Sequence, residues 1–192
     1  MKKSVLPILA ILLTLPNLAY AHVMPGGGGF MSGFSHPVLG LDHLLAMLSV
    51  GILSAQMGGK AIWRVPVTFV IVMLIGGILG IKGIEMFSVE LGIAISVLAL
   101  GISITTEKKL PYFMAMLFVG FFAIFHGFAH GVEMPYLAKP EMYAAGFVVG
   151  TATIHIAGVF IALILKKFKQ GEQLLRYLGA GIAGVGFHLV MM

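Results

Sequence analysis

The chain has 192 residues, of which 59% are hydrophobic and 10% are charged, with a formal net charge of +5 at pH 7. Soluble domains carry about 25% charged residues, so this composition excludes an ordinary soluble protein and indicates one that crosses a membrane several times. The chain contains no cysteine, which excludes disulfides, thiolate metal ligands and cysteine nucleophiles.

The N-terminal residues have the pattern of a secretory signal peptide. Two lysines precede an apolar stretch over 5–15, and residues 19–21 form an A-x-A cleavage site. An uncleaved first helix is the alternative, but the stretch is short and two prolines interrupt it. We therefore expect a cleaved signal peptide over 1–21 and a mature domain over 22–192. Cleavage makes His22 the new N-terminus, either a metal-binding amine and imidazole pair or part of a frayed polar tail.

Six apolar segments follow, each close to the 20 residues or so that a bilayer-spanning helix needs. They run over 36–56, 65–83, 86–105, 111–130, 142–165 and 174–191. Small-xxx-small spacings predict close helix packing at two places, Gly76 with Gly80 and Gly146 with Gly150. The sequence thus predicts an all-α, polytopic membrane protein with six transmembrane helices after a cleaved signal peptide.

Basic residues concentrate in the odd-numbered loops between these segments. Eight lie in or beside the first, third and fifth loops: Lys60, Arg64, Lys108, Lys109, Lys166, Lys167, Lys169 and Arg176. The second and fourth loops carry only Lys82 and Lys139. Because positively charged loops stay in the cytoplasm, we expect periplasmic mature N- and C-termini in a bacterial inner membrane. Membrane topology accounts for the basic residues, so we expect no nucleic-acid partner.

The string HPVLGLDH places His36, Asp42 and His43 at the start of the first segment. Ionisable residues are costly inside a bilayer and usually mark a site or a pathway. Pro37 suits the first turn of a helix, on which His36 and His43 would share one face about 10 Å apart. Asp42 would then point toward a neighbouring helix or toward an imidazole whose tautomer it fixes. A packed, hydrogen-bonded histidine is the ordinary alternative.

The fourth segment ends in FHGFAHGVEMP, which carries a second polar group. His126, His130 and Glu133 have i, i+4, i+7 spacing and therefore line one helical stripe. The string lacks the H-E-x-x-H pattern of zinc proteases. Because the first segment starts and the fourth ends at the outer face, we expect both groups to meet in the outer half of the membrane. Nitrogen and oxygen ligands suit a borderline divalent ion such as Ni²⁺, Co²⁺ or Zn²⁺.

Two further histidines are candidate metal ligands. His155 lies near the middle of the fifth segment, about 20 Å from its outer end, and is either a second metal station or a packed core residue. His188 lies near the outer end of the sixth segment, where contact with solvent or lipid head groups is the alternative.

The two strings HPVLGLDH and FHGFAHGVE, in a six-helix chain with a signal peptide and a mature N-terminal histidine, resemble the HupE/UreJ family. The resemblance covers essentially residues 22–192. Members of this family are nickel, and sometimes cobalt, permeases associated with hydrogenase and urease maturation. The resemblance implies that His36, Asp42 and His43 belong to the metal path, and it leaves nickel and cobalt open.

We therefore expect a permease, not an enzyme, that imports Ni²⁺ or Co²⁺ from periplasm to cytoplasm as a transported substrate, without a prosthetic group. Neutral imidazoles bind metal and protonated ones do not, so uptake should weaken at acidic pH unless proton flow is coupled. The alternatives are an intramembrane His-ligated metalloenzyme or haem-binding membrane protein, and a Cu⁺ or Zn²⁺ carrier. The expected partners are a divalent transition-metal ion and the lipid bilayer, and a homo-oligomer is compatible with the sequence.

Overall fold

The computed structural model describes residues 29–107, 110–136 and 138–192, so the expected signal peptide and His22 lie outside the described residues. Within these ranges the chain forms seven α-helices and no strand. In chain order the helices are α1 (Phe30–Leu39), α2 (Leu41–Met57), α3 (Ala61–Ile81), α4 (Val89–Thr106), α5 (Tyr112–Val132), α6 (Pro140–Leu165) and α7 (Gly171–Met191).

The helices have the length and composition of membrane spans. Five of them, α3 to α7, are each long and apolar enough to cross a membrane. The pair α1 and α2 passes the same test only jointly, as a broken span. The described residues therefore contain five spans, or six if the broken pair counts as one. This confirms the predicted all-α, multi-pass class.

The first predicted span is not one straight helix. The axes of α1 and α2 are bent by 84° where they meet at Gly40. Gly40 adopts an extended conformation (φ −83°, ψ 113°) that cannot continue a helix. The predicted single helix over 36–56 that begins at Pro37 is therefore wrong, because α1 already begins at Phe30 and Pro37 lies near its end.

Glycines bring several helix pairs into backbone contact. A Cβ added to Gly76 or Gly80 of α3 would fall on the backbone of α5. A Cβ added to Gly146 or Gly150 of α6 would fall on the backbone of α1. Both small-xxx-small pairs therefore pack helices closely, as their spacing predicted.

The centre of the bundle is apolar apart from a small set of buried polar side chains. Large apolar residues such as Met47, Phe69 and Phe147 fill most of it. The buried polar residues of the described ranges include four histidines, namely His43, His126, His130 and His155. Because α2, α5 and α6 carry these histidines, packing of the three helices determines where the imidazoles meet.

Candidate metal site

Four imidazole rings meet where α1, α2 and α5 come together. The bend at Gly40 brings the ring centroids of His36 and His43 to 5.9 Å, so the spacing of about 10 Å expected along one continuous helix is wrong. The ring of His130 lies 4.7 Å from that of His36 and 4.8 Å from that of His43. The ring of His126 lies 4.9 Å from that of His43. We call His36, His43, His126 and His130 the histidine cluster.

Two carboxylates hold two rings of the histidine cluster. His36 Nε2 donates to Glu133 Oε2 at 2.8 Å, and His43 Nδ1 donates to Asp42 Oδ1 at 2.9 Å. Because an ionised carboxylate only accepts hydrogen bonds, the contacted ring nitrogen carries the proton in both cases. In a neutral ring the opposite nitrogen, Nδ1 of His36 and Nε2 of His43, then carries the lone pair that a metal ion requires. Of the two directions expected for Asp42, the structure shows the one toward an imidazole.

Glu133 ties α1 to α5. Glu133 was predicted to share a helical stripe with His126 and His130. Helix α5 ends at Val132, so Glu133 lies just beyond the helix and still reaches His36. The hydrogen bond from His36 lowers the pKa of Glu133, while partial burial acts in the opposite direction. The carboxylate is therefore ionised at neutral pH and adds a negative charge beside the histidine cluster.

Three of the four imidazoles in the histidine cluster are buried and offer unpaired nitrogens. His126 and His130 have no exposed surface, and 5% of His43 is exposed. Among the described residues, no hydrogen-bond partner contacts His43 Nε2, His126 Nδ1 or either ring nitrogen of His130. An unpaired buried polar atom costs about 1–3 kcal/mol, and in a native structure it often marks a functional role. Each of these three rings, when neutral, can offer one nitrogen lone pair, and three imidazole nitrogens fit the donor set of a borderline divalent cation.

The rings do not yet form a coordination shell. They contact one another edge to face, with the rings of His43 and His126 inclined at 85°. Within the described ranges, no three His, Asp or Glu side chains are arranged to hold a metal ion in these conformations. The cluster therefore presents imidazoles side by side without directing their nitrogens at one point.

Three residues that carry no metal-binding motif complete the surroundings. Ser96 of α4 places its Oγ 2.8 Å from Nε2 of His126. Phe147 of α6 stacks on His130 with the ring centroids 5.1 Å apart, and the ring of Tyr143 lies 6.2 Å from that of His36. Sequence reasoning missed all three. A hydroxyl in the middle of an apolar helix was the available signal for Ser96.

The two remaining histidines of the described chain lie apart from the cluster. His155 is buried in α6, with its ring 5.3 Å from that of Phe69. The ring of Phe69 lies 5.6 Å from that of His126, so one aromatic side chain links His155 to the cluster. Neither ring nitrogen of His155 has a partner among the described atoms. His188 is exposed in the last turn of α7.

The chain is similar to a known protein over its whole length. Protein HupE of Rhizobium leguminosarum bv. viciae is 41% identical to this chain over 191 residues, which cover 100% of both sequences. No solved structure matches the chain. The family model described as HupE / UreJ protein matches residues 9–189. The chain therefore belongs to the HupE/UreJ family, as its two histidine motifs predicted.

Proposed function

We propose that this protein is a permease that imports Ni²⁺, or Co²⁺, across the bacterial inner membrane and supplies hydrogenase or urease maturation. The observation that carries the proposal is the histidine cluster, in which four imidazoles from three helices meet inside a bundle of apolar helices. Imidazole ligands without thiolates suit these ions. Membership of the HupE/UreJ family, which is associated with nickel and cobalt transport, supports the same conclusion.

The residues of the site have different roles in this proposal. The four imidazoles of the histidine cluster bind the cation. Asp42 and Glu133 hold two of the rings and supply negative charge, which favours entry of a dication. His155 is a second station deeper in the bundle, reached past the ring of Phe69.

The transport step requires the imidazoles to turn. Rotation about the side-chain torsions would direct the free nitrogens of His43, His126 and His130, together with Nδ1 of His36, toward one cation as it loses its water. A transported ion must be bound well enough to enter and weakly enough to leave. A site that assembles around the ion, and comes apart again, meets both requirements. We propose import, from the periplasm to the cytoplasm, because the positive-inside rule predicts that the histidine cluster lies at the outer side.

Uptake of radioactive Ni²⁺ tests the proposal in cells that lack other nickel importers. We compare wild type, His130→Ala and His188→Ala at equal amounts in the membrane. Each variant loses one imidazole, but His130 is in the buried cluster whereas His188 is exposed and outside it. We expect His130→Ala to lower uptake by about 10-fold or more and His188→Ala to resemble wild type. Equal uptake by all three proteins would contradict the proposal.

Competition identifies the substrate. Excess Co²⁺, Zn²⁺ or Cu²⁺ is added to the wild-type uptake assay, and we expect Co²⁺ to inhibit most strongly. Inhibition mainly by Zn²⁺ or Cu²⁺ would instead indicate a carrier for those ions. A Soret band in the purified protein would favour the haem-binding alternative.

A further inference from the structure

Ser96 contacts the histidine cluster from a helix that contributes no histidine to it. The residue has no exposed surface. Its Oγ lies 2.6 Å from the backbone oxygen of Ile93 in the same helix, and 2.8 Å from Nε2 of His126 in α5. One hydroxyl thus has two polar neighbours inside the apolar bundle.

These two contacts fix the direction of both hydrogen bonds. A serine hydroxyl has one proton to donate, and a backbone carbonyl oxygen only accepts. At 2.6 Å, the two oxygens of Ser96 and Ile93 would repel each other without a proton between them, so Ser96 donates to Ile93. The hydroxyl oxygen therefore faces His126 as an acceptor, and His126 Nε2 is the donor.

The tautomer of His126 follows from this assignment. With the proton on Nε2, a neutral ring carries its lone pair on Nδ1. Nδ1 of His126 is buried, and no partner contacts it among the described residues. The nitrogen that is free to bind a cation is thus the one that Ser96 leaves unprotonated.

We propose that Ser96 is a positioning residue that fixes His126 as an Nδ1 ligand. It acts on His126 as Asp42 acts on His43 and as Glu133 acts on His36, by accepting a hydrogen bond from the N–H of one ring nitrogen. Unlike the two carboxylates, the hydroxyl brings no charge, so it orients its ring while raising the basicity of the ring less than they do. The assumption that the bound ion is the transported cation rests on the proposed function.

Nuclear magnetic resonance of the metal-free protein tests the tautomer. Full-length protein with ¹⁵N-labelled histidine is placed in lipid nanodiscs, and the His126 signals are identified by their loss in His126→Gln. We expect the proton of His126 on Nε2, in a hydrogen bond that Ser96→Ala removes. A proton on Nδ1 in the wild-type protein, or an unchanged Nε2–H signal in Ser96→Ala, would overturn the proposal.

Ser54→Ala is the matched control. Ser54 is equally buried, and its Oγ donates at 2.7 Å to the carbonyl of Gly51, three residues earlier in the same helix. Both alanine variants therefore lose one hydroxyl and one bond within a helix, but only Ser96→Ala loses a bond to a histidine. We expect the His126 signal of Ser54→Ala to match that of wild type.

Binding of Ni²⁺ to the same samples separates this proposal from the proposed function. We expect Ser96→Ala to raise the Kd for Ni²⁺ by about 10-fold or more and Ser54→Ala to leave it unchanged. Equal Kd values in Ser96→Ala and wild type would reject the role of Ser96 in orienting His126 for metal binding, while metal binding itself would stand. No binding of Ni²⁺ by wild type, with the expected His126 signal, would reject the proposed function and leave the assignment of the tautomer intact.

Discussion

Glu133 determines how α1 is held against α5 beside the histidine cluster. Its carboxylate accepts a 2.8 Å hydrogen bond from His36, and this bond lowers the pKa of Glu133 below its ordinary value of 4.5. A carboxyl group whose pKa is lower in the folded protein stabilises the fold fully above its unfolded pKa. That contribution is lost only as the pH falls through the lower, folded value.

The stabilising effect of Glu133 should therefore survive mild acid. We expect Glu133→Leu to unfold at a lower temperature than wild type, because His36 loses its acceptor. The difference should be nearly the same at about pH 5 as at about pH 7, and it should shrink below pH 4.5. Thermal unfolding of the purified proteins across this range measures it. Glu133→Gln is the control because its amide oxygen still accepts from His36, and a difference that vanished already between pH 7 and 5 would contradict the assignment.

At the level of single residues, the sequence predicted the histidines of the cluster better than the residues that contact them. The i, i+4 spacing of His126 and His130, with the opposite directions of two segments, was enough to predict that both motifs meet. Ser96 and Phe147 were missed because their contact with the histidine cluster depends on which helices pack against each other. A serine in an apolar helix has the same local sequence whether it faces a histidine or, like Ser54, only its own backbone.

At the level of helices, glycines decide how closely α3 and α5 approach at the histidine cluster. A Cβ on Gly127, between the two histidines of α5, would fall on the backbone of Met73 in α3. Backbone atoms cannot move aside as the end of a side chain can, so the helices must separate. Gly184 of α7 differs, because nothing in the described part of the chain lies within 4 Å of a Cβ added there.

Alanine at these two glycines should have opposite effects on stability. We expect Gly127→Ala to destabilise the fold by about 1–3 kcal/mol through overpacking. Gly184→Ala should be neutral or stabilising by up to about 1 kcal/mol, because alanine favours helix. Thermal unfolding of the purified variants, with their amounts in the membrane, measures both. Equal loss in the two variants would mean that the contact of α3 with α5 does not limit stability.

The break at Gly40 shows why the helix boundaries were less predictable than the number of spans. Hydropathy identifies a stretch long enough to cross a membrane, but a broken helix and a straight one have the same composition. Pro37 is compatible with the start of a helix, and a glycine shortly after a proline is equally compatible with an end. The structure has the second arrangement, and the resulting bend brings His36 close to His43.

Across the whole molecule, the histidine cluster lies at one end of the bundle and a cavity lies at the other. The cavity has a volume of about 100 Å³ and lies between the last turns of α2 and α4 and the start of α7. Gln56, Glu107 and Lys166 are among its lining residues. There Lys166 Nζ donates to the backbone oxygen of Ala55 at 2.8 Å, which ties α6 to the end of α2. The length of α2 therefore separates the histidine cluster from this cavity.

The proposed direction of transport depends on which end faces the periplasm, and single cysteines can determine this. Because the chain has no cysteine, each variant carries one thiol. Glu85 lies in the loop between α3 and α4, at the end of the histidine cluster, and Lys167 lies between α6 and α7, at the end of the cavity. Both residues are exposed.

In intact cells, a maleimide that cannot cross the inner membrane should label Glu85→Cys and spare Lys167→Cys, since positively charged loops stay in the cytoplasm. Permeabilised cells are the control, in which both thiols should react. The opposite pattern would place the histidine cluster at the cytoplasmic side, and a metal bound there would then be positioned for export.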